Sequence, residues 1–398
     1  MRRSSAATGE ASRLASTISR CQPGSKVPSA DLETARVLIA HDWLVTWAGS
    51  ERCVEQLLEI FPQADLVVGV RTPDMNDFNH VTRRATETWL GRLPGARRHH
   101  RWFVPLQPFA FASIDTSRYD LVISSSHAFS KAVKARRGGH HICFCYSPPR
   151  YLWHLATTYH RGATQAQRAA LAVGAPVLRW LDRRAARRVD DFITISKHIA
   201  TRIQRVYGRS ATVVYPPVVR KPGNRSETRG DCLLSLGRLV PYKRVDLAIK
   251  AAEHLGVPLI VAGDGPDRSR LERLAGRQTQ FVGEVSEEEA GRLLSSCAAF
   301  VFCAEEDFGI APLEANAHGT PVVGYRAGGL CETMVEGETA EFFDQQTATD
   351  VAAAVRRALR RSWDTHMLQD NARRFSPTAF RASFGAAIEA ALNRKGTG

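Results

Sequence analysis

Two glutamates eight residues apart, Glu306 and Glu314, are the residues of this 398-residue chain whose spacing first suggests chemistry. They lie in the stretch from Ala304 to Val323, which opens at the end of an apolar run, Ala298 to Cys303, that reads as a buried strand. That strand delivers Glu305 and Glu306 at its C-terminal end. A Phe308-Gly309-Ile310 turn follows, Pro312 fits a first helical position, and Gly319 stops the helix. Such a helix start carries free N–H groups and attracts phosphate. A carboxylate accepts two hydroxyl donors at once, which suits the vicinal diols of a sugar. The plainer reading, an acidic loop followed by a Glu that the helix dipole favours, stands beside it.

Cations and imidazoles supply the rest of the candidate chemistry. Gly237-Arg238 and Lys243-Arg244 fall between a strand and the amphipathic helix Val245–Leu255. A Lys near a helix start opposes the dipole unless an anion is present, and Arg238 with Lys243 would stabilise the charge growing on a leaving diphosphate. The alternative is a solvated basic turn. Ser124-Ser125-Ser126-His127 sits where a strand ends and a helix should begin, so His127 is the candidate to orient or polarise a hydroxyl near neutral pH. His41 is the second choice, and a plain helix-start histidine is the competing reading.

The elements that must position these groups alternate in α/β fashion. Val37–Ala40, Asp65–Val70, Asp120–Ser124, His141–Cys145, Asp191–Ile195 and Thr212–Tyr215 read as strands of a first parallel sheet. Cys232–Leu236, Val257–Ala262, Phe281–Val282, Ala298–Cys303 and Pro321–Val323 read as strands of a second. After the first strand, Ala48-Gly49-Ser50 opens a helix with Ser50 as N-cap, which makes Gly49 a candidate for backbone approach to a ligand. Ser286 and Glu289 form a capping box. The expected organisation is a disordered leader at 1–33, Rossmann-like domains at 34–215 and 230–375, a linker at 216–229, and a final helix within 376–398.

Charge is uneven. Residues 34–220 hold 27 basic and 13 acidic side chains, whereas residues 221–398 hold 22 and 24. Anionic partners should therefore meet the N-terminal half. Its basic and aromatic clusters, Arg97 to Phe103 and Arg179 to Arg188, fit either a peripheral face on an anionic membrane or a solvated charged helix. Nucleic acid is not expected, since no nucleic-acid motif accompanies the charge. The eight cysteines include no Cys-x-x-Cys pair and read as reduced, buried side chains of a cytoplasmic protein. The leader has no apolar core of a secretory signal.

Taken together, the Glu-x7-Glu pair and Gly-Arg-x4-Lys resemble the retaining GT-B glycosyltransferases of family 4. His41-Asp-Trp-Leu, Ser-Ser-Ser-His127, the run His141 to Trp153, and Tyr215-Pro-Pro-Val narrow the resemblance to the O-antigen and exopolysaccharide mannosyltransferase-like subgroup. It spans about residues 36 to 385. It implies that Glu306 holds the donor sugar and Glu314 the ribose. It places Gly263, Asp264, Val282, Phe308, Gly309 and Ile310 around the nucleotide sugar. It implies a last helix that crosses back onto the N-terminal domain, and retention by front-face attack with the leaving phosphate helping to deprotonate the acceptor. The expected donor is GDP-mannose and the acceptor a lipid-linked or polysaccharide glycan, at the inner face of the cell membrane. No Asp-x-Asp occurs in the chain, so no metal is expected to be required. A UDP-sugar donor, glucose or N-acetylglucosamine, and a non-catalytic nucleotide-sugar-binding protein are the alternatives.

Overall fold

The short apolar runs form strands because β-branched and aromatic residues covered on both faces suit a pleated, buried ladder. The computed structural model describes residues 34–72, 79–154, 165–219 and 230–396. The expected leader, and the linker from 220 onward, lie outside the described residues.

Among the described residues the first sheet has seven strands: β1 (Val37–His41), β2 (Asp65–Val68), β3 (Ala85–Glu87), β4 (Leu121–Ser126), β5 (His140–Cys145), β6 (Asp191–Thr194) and β7 (Thr212–Val213). Their order is β3-β2-β1-β4-β5-β6-β7, every pairing parallel. The second has six: β8 (Leu233–Leu236), β9 (Leu259–Ala262), β10 (Thr279–Gly283), β11 (Ala299–Phe302), β12 (Val322–Tyr325) and β13 (Ala340–Phe343). Their order is β10-β9-β8-β11-β12-β13, again parallel. Two parallel-sheet α/β units follow one another in the chain.

Helices α1 (Gly49–Ile60), α2 (Gln165–Ala186), α3 (Lys197–Tyr207), α4 (Val245–Leu255), α5 (Ile310–Ala317), α6 (Leu330–Thr333) and α7 (Pro377–Gly396) matter most for the site. Helix α7 packs on the first sheet's unit. Phe380 and Phe384 meet Phe144 of β5 with ring centroids at 5.8 and 5.1 Å, and Arg394 pairs with Asp191 at 2.7 Å. The two units also share apolar packing beneath the crevice, where Tyr215 stacks on Phe308 at 5.8 Å and both contact Phe375.

Several local expectations change. Ser50 does not cap α1: the cap position is Ala48, whose N–H donates to Glu51 Oε2 at 3.1 Å, and the Ser50 hydroxyl donates to the same oxygen. Glu51 is the better acceptor because it is charged and reaches back from the third position. Helix α5 begins at Ile310, so Pro312 is its third residue rather than its first, still inside the turn whose N–H groups have no helical acceptor. No α-helix follows His127; only a short 3-10 turn, Ser130–Ala132, forms there. The strand expected over Thr212–Tyr215 pairs only at Thr212 and Val213. Strands β3 and β13 escaped the reading of the sequence.

Candidate active site in the crevice

In each sheet the strand order reverses once, between β1 and β4 and between β8 and β11. Ligands of open parallel sheets bind in the crevice outside the carboxyl ends of the strands at such a reversal. The strand ends found there are His41-Asp42, Ser126-His127, Gly237-Arg238 and Ala304 to Glu306.

On the N-terminal side the organising residue is Asp42, which the sequence reading passed over as a member of a motif. Its Oδ2 accepts the N–H groups of His127 and Ala128 at 2.6 and 2.8 Å, and its Oδ1 those of Phe129 and Ser130 at 2.8 and 2.6 Å. These four donors fold around one carboxylate instead of starting a helix, which explains the missing helix. Burial works to raise the Asp42 pKa, but the adjacent His127 and His41 charges and the N–H donors outweigh it and hold it below its ordinary value.

His127 is thereby aimed by its own backbone. Its Nδ1 lies 3.3 Å from Asp42 Oδ2, its ring meets Trp43 edge-on at 4.5 Å, and its side chain is 26% exposed. Burial pushes its pKa below the ordinary 6.5 against the pull of Asp42, so the ring is neutral at pH 7. His41 is fully buried, with Nδ1 3.0 Å from Ser125 Oγ and Nε2 3.6 Å from Glu51. It supports the loop rather than facing a ligand.

Gly49 lies against the opposite unit: a Cβ there would stand 2.5 Å from Ile310 Cδ1. Its small size allows the two sides to approach, with α5 directly across. Ile310 opens α5 beside Gly309, whose φ of 90° turns the chain into the helix. Glu314 follows within α5, partly buried. Phe308 is buried in the shared packing, so its ring serves the core and only its backbone borders the loop.

Lys243 Nζ reaches Glu306 Oε1 at 3.4 Å, and that carboxylate, acting against burial, raises the Lys243 pKa. Lys243 ends a 3-10 turn whose next residue, Arg244, has φ 52° and is, among the described residues, the single non-glycine with positive φ. Strain of this kind clusters at functional sites. Arg238 is exposed at the rim.

Three glycines interlock behind them. The Gly237 N–H donates to Ala262 O, the Gly263 N–H to Gly283 O, and a Cβ on Gly263 would collide with Gly237 O. Asp264 accepts its neighbour's N–H at 2.7 Å, serving its own turn, and Val282 is exposed near the end of β10.

Asp307 and Arg150 also went unnoticed as site residues. Asp307, buried beside Glu306, is gripped by Arg150 at 2.5 Å and by Arg202, both from the N-terminal side. Ser196 Oγ donates to Asp307 O at 2.6 Å, and the Lys197 and His198 N–H groups at the start of α3 donate to Glu332 at 2.8 Å each. These contacts close the crevice. Their partners lie over a hundred residues apart in sequence, which no local pattern connects. Among the described residues no cluster of three or more His, Cys, Asp and Glu is arranged to hold a metal ion.

Known proteins resemble this chain in sequence and in fold. Residues 47–220 match the family described as Glycosyltransferase Family 4, and residues 220–375 the family described as Glycosyl transferases group 1. The glycogen synthase of Mycobacterium tuberculosis is 33% identical over 203 residues, covering 45% of this chain and 47% of that protein. A GDP-mannose-dependent alpha-(1-6)-phosphatidylinositol monomannoside mannosyltransferase of Mycolicibacterium smegmatis is 30% identical over 212 residues, covering 45% of this chain and 56% of its own length. The chain thus spans about half the length of the curated relatives it matches. Among solved structures, sucrose-phosphate synthase from Thermosynechococcus elongatus superposes with a TM-score of 0.67 at 18% identity, over 90% of this chain and 100% of that one. Anabaena HepE in complex with UDP-glucose gives 0.61 at 15% identity, over 89% and 99%. The two contiguous family matches, Glycosyltransferase Family 4 and then Glycosyl transferases group 1, fall on two parallel-sheet units whose fold is of the GT-B type.

Proposed function

We propose that the protein is a retaining glycosyltransferase that moves mannose from GDP-mannose to a lipid-linked or polysaccharide acceptor. The observation that carries this reading is the Lys243–Glu306 pair beside the start of α5, facing the His127 loop across a closed crevice. Glu306 would hold sugar hydroxyls and Glu314 the ribose. Lys243, Arg238 and the N–H groups of α5 would take up charge on the departing diphosphate. His127, neutral and half-sheltered, would orient a hydroxyl at the reacting centre. The backbone of Gly263, Val282 and Gly309 would border the nucleotide. Metal is not required in this scheme, because arginine, lysine and helix N–H groups supply the positive charge.

The donor preference draws on the mannosyltransferase relatives, which are named as GDP-mannose-dependent. A UDP-glucose donor is the second reading, favoured by the likeness to HepE, whose structure holds UDP-glucose. Incubating the purified protein with each nucleotide sugar and a glycan acceptor, with and without EDTA, tests both. Transfer from GDP-mannose that survives EDTA is expected. Transfer from UDP-glucose alone overturns the donor, and activity that returns only with magnesium overturns the metal-free scheme.

The acceptor side would rest on an anionic membrane at its cytoplasmic face. Trp102 is 80% exposed, and Phe109, Val177 and Trp180 are exposed with it. Arg179, Arg183, Arg184 and Arg187 line a groove with Trp180 and Pro176 along α2. Apolar anchors ringed by arginines suit an anionic headgroup layer. No helix among the described residues is long and apolar enough to cross a membrane.

A further inference from the structure

Arg150 sits in the loop after β5, on the N-terminal side of the crevice, and the roles assigned above leave it unused. It shares the buried Asp307 carboxylate with Arg202. Arg202 draws on Glu305 as well, so these four side chains balance in charge, with Asp307 the carboxylate that Arg150 meets. Beside them, Lys243 and Glu306 balance each other.

The two arginines are not equivalent. Arg202 is 15% exposed and is held further by His154 Nε2 at 3.0 Å and by Glu305 Oε1 at 3.6 Å. Arg150 is 34% exposed and reaches Asp307 through Nη2. A guanidinium offers five N–H donors in a flat fork, so a single oxygen leaves Arg150 with donors to spend on a second anion. Its charge is felt on both walls of the crevice. It contributes to lowering the pKa of His127, where burial dominates, and that of Lys243, where Glu306 dominates in the opposite sense.

We propose that Arg150 is an anion-binding residue of the donor site, presenting its guanidinium to the diphosphate of a nucleotide from the side opposite Lys243, with Asp307 as its positioning residue. This rests on the nucleotide-sugar reading of the crevice. Arg202 makes the arrangement workable: when Arg150 turns toward an incoming diphosphate, Asp307 keeps a buried partner and no carboxylate is stranded. The nucleotide would then bridge both units, and its binding would favour the closed crevice.

The test is a calorimetric titration of GDP, UDP and inorganic pyrophosphate into wild type, Arg150→Ala, Arg150→Lys and Arg52→Ala. Arg52 forms an ion pair with Glu287 across the same interface but has no place in the site, so its variant controls for losing an interdomain pair. Arg150→Ala should bind the preferred nucleotide at least about tenfold more weakly, Arg150→Lys should fall between, and Arg52→Ala should stay within about twofold of wild type. Pyrophosphate should show the same ordering, since the contact is to phosphate. If Arg150→Ala binds as tightly as Arg52→Ala, the inference fails while the donor site stands. If wild type binds none of the probes, the donor site itself is wrong. Should Arg150→Ala fail to fold, Arg150→Lys decides: it keeps the charge facing Asp307 but loses the fork, and wild-type affinity in it overturns the proposal.

Discussion

His127 is the residue whose protonation matters most at working pH. Its pKa lies below 6.5, so the neutral ring persists through the physiological range and is lost only as acid protonates it. If the neutral form orients the acceptor hydroxyl, kcat/KM should hold level from neutral pH downward and fall along an acid limb centred below 6.5. A profile with its limb above 6.5 would remove His127 from that role. His127→Ala should lower kcat by about 10²–10⁴ with the donor affinity little changed, as a stopped transfer assay and a binding titration would reveal. On the facing side, Lys243→Ala should cost about 10²–10³ in kcat, because Lys243 acts on charge that develops as the diphosphate leaves. The candidate residues Lys243, Glu306, Glu314 and His127 were legible in the sequence because each sits within a few positions of a strand end or helix start. Asp42, Asp307 and Arg150 were not, because what defines them is a partner about 85, 105 or 157 positions away.

At the scale of elements, Asp42 gives four consecutive N–H groups of the His127 loop a single carboxylate acceptor. Asp42→Asn keeps one oxygen and turns an NH2 toward donors, so it should destabilise the N-terminal unit by about 2–4 kcal/mol in urea unfolding. An unchanged unfolding midpoint would show that the four N–H groups find other acceptors. The sign of the pH effect follows from the depressed Asp42 pKa. Its stabilisation is in place above the unfolded value, near 3.8, and is lost as pH falls through the lower folded value. Gly263 fixes the other loop set, since φ 121° and the nearby Gly237 carbonyl exclude a side chain; Gly263→Ala should cost more than about 1 kcal/mol by the same measurement. Most strands were readable as apolar runs. Strand β13 was not, because it carries Glu341, which is buried only by virtue of Arg357 and Arg361 at 3.0 and 2.7 Å, and β3 was not, being three residues at an edge.

The whole molecule is two parallel-sheet units tied by α7 and by contacts across the crevice. The repeat of strand–loop–helix units made this architecture legible, since parallel pairing needs a helical crossover each time. The closeness of the two sides was not, because Gly49 against Ile310 is a contact between distant segments. On the outer face, Trp102→Glu together with Trp180→Glu should abolish sedimentation with vesicles of anionic lipid, and raised salt should weaken the wild type. Equal sedimentation of the variant would take the membrane from that face.

The central claim is that the crevice holds a nucleotide sugar, and thermal unfolding in a panel of nucleoside diphosphates and their sugars, with wild type beside Glu314→Ala, tests it most directly. A ligand at about 100 times its Kd adds about 2.7 kcal/mol of stability, which moves the midpoint by several degrees. A rise with GDP and GDP-mannose in the wild type, lost in Glu314→Ala, is the predicted result. No rise with any nucleotide would contradict the account.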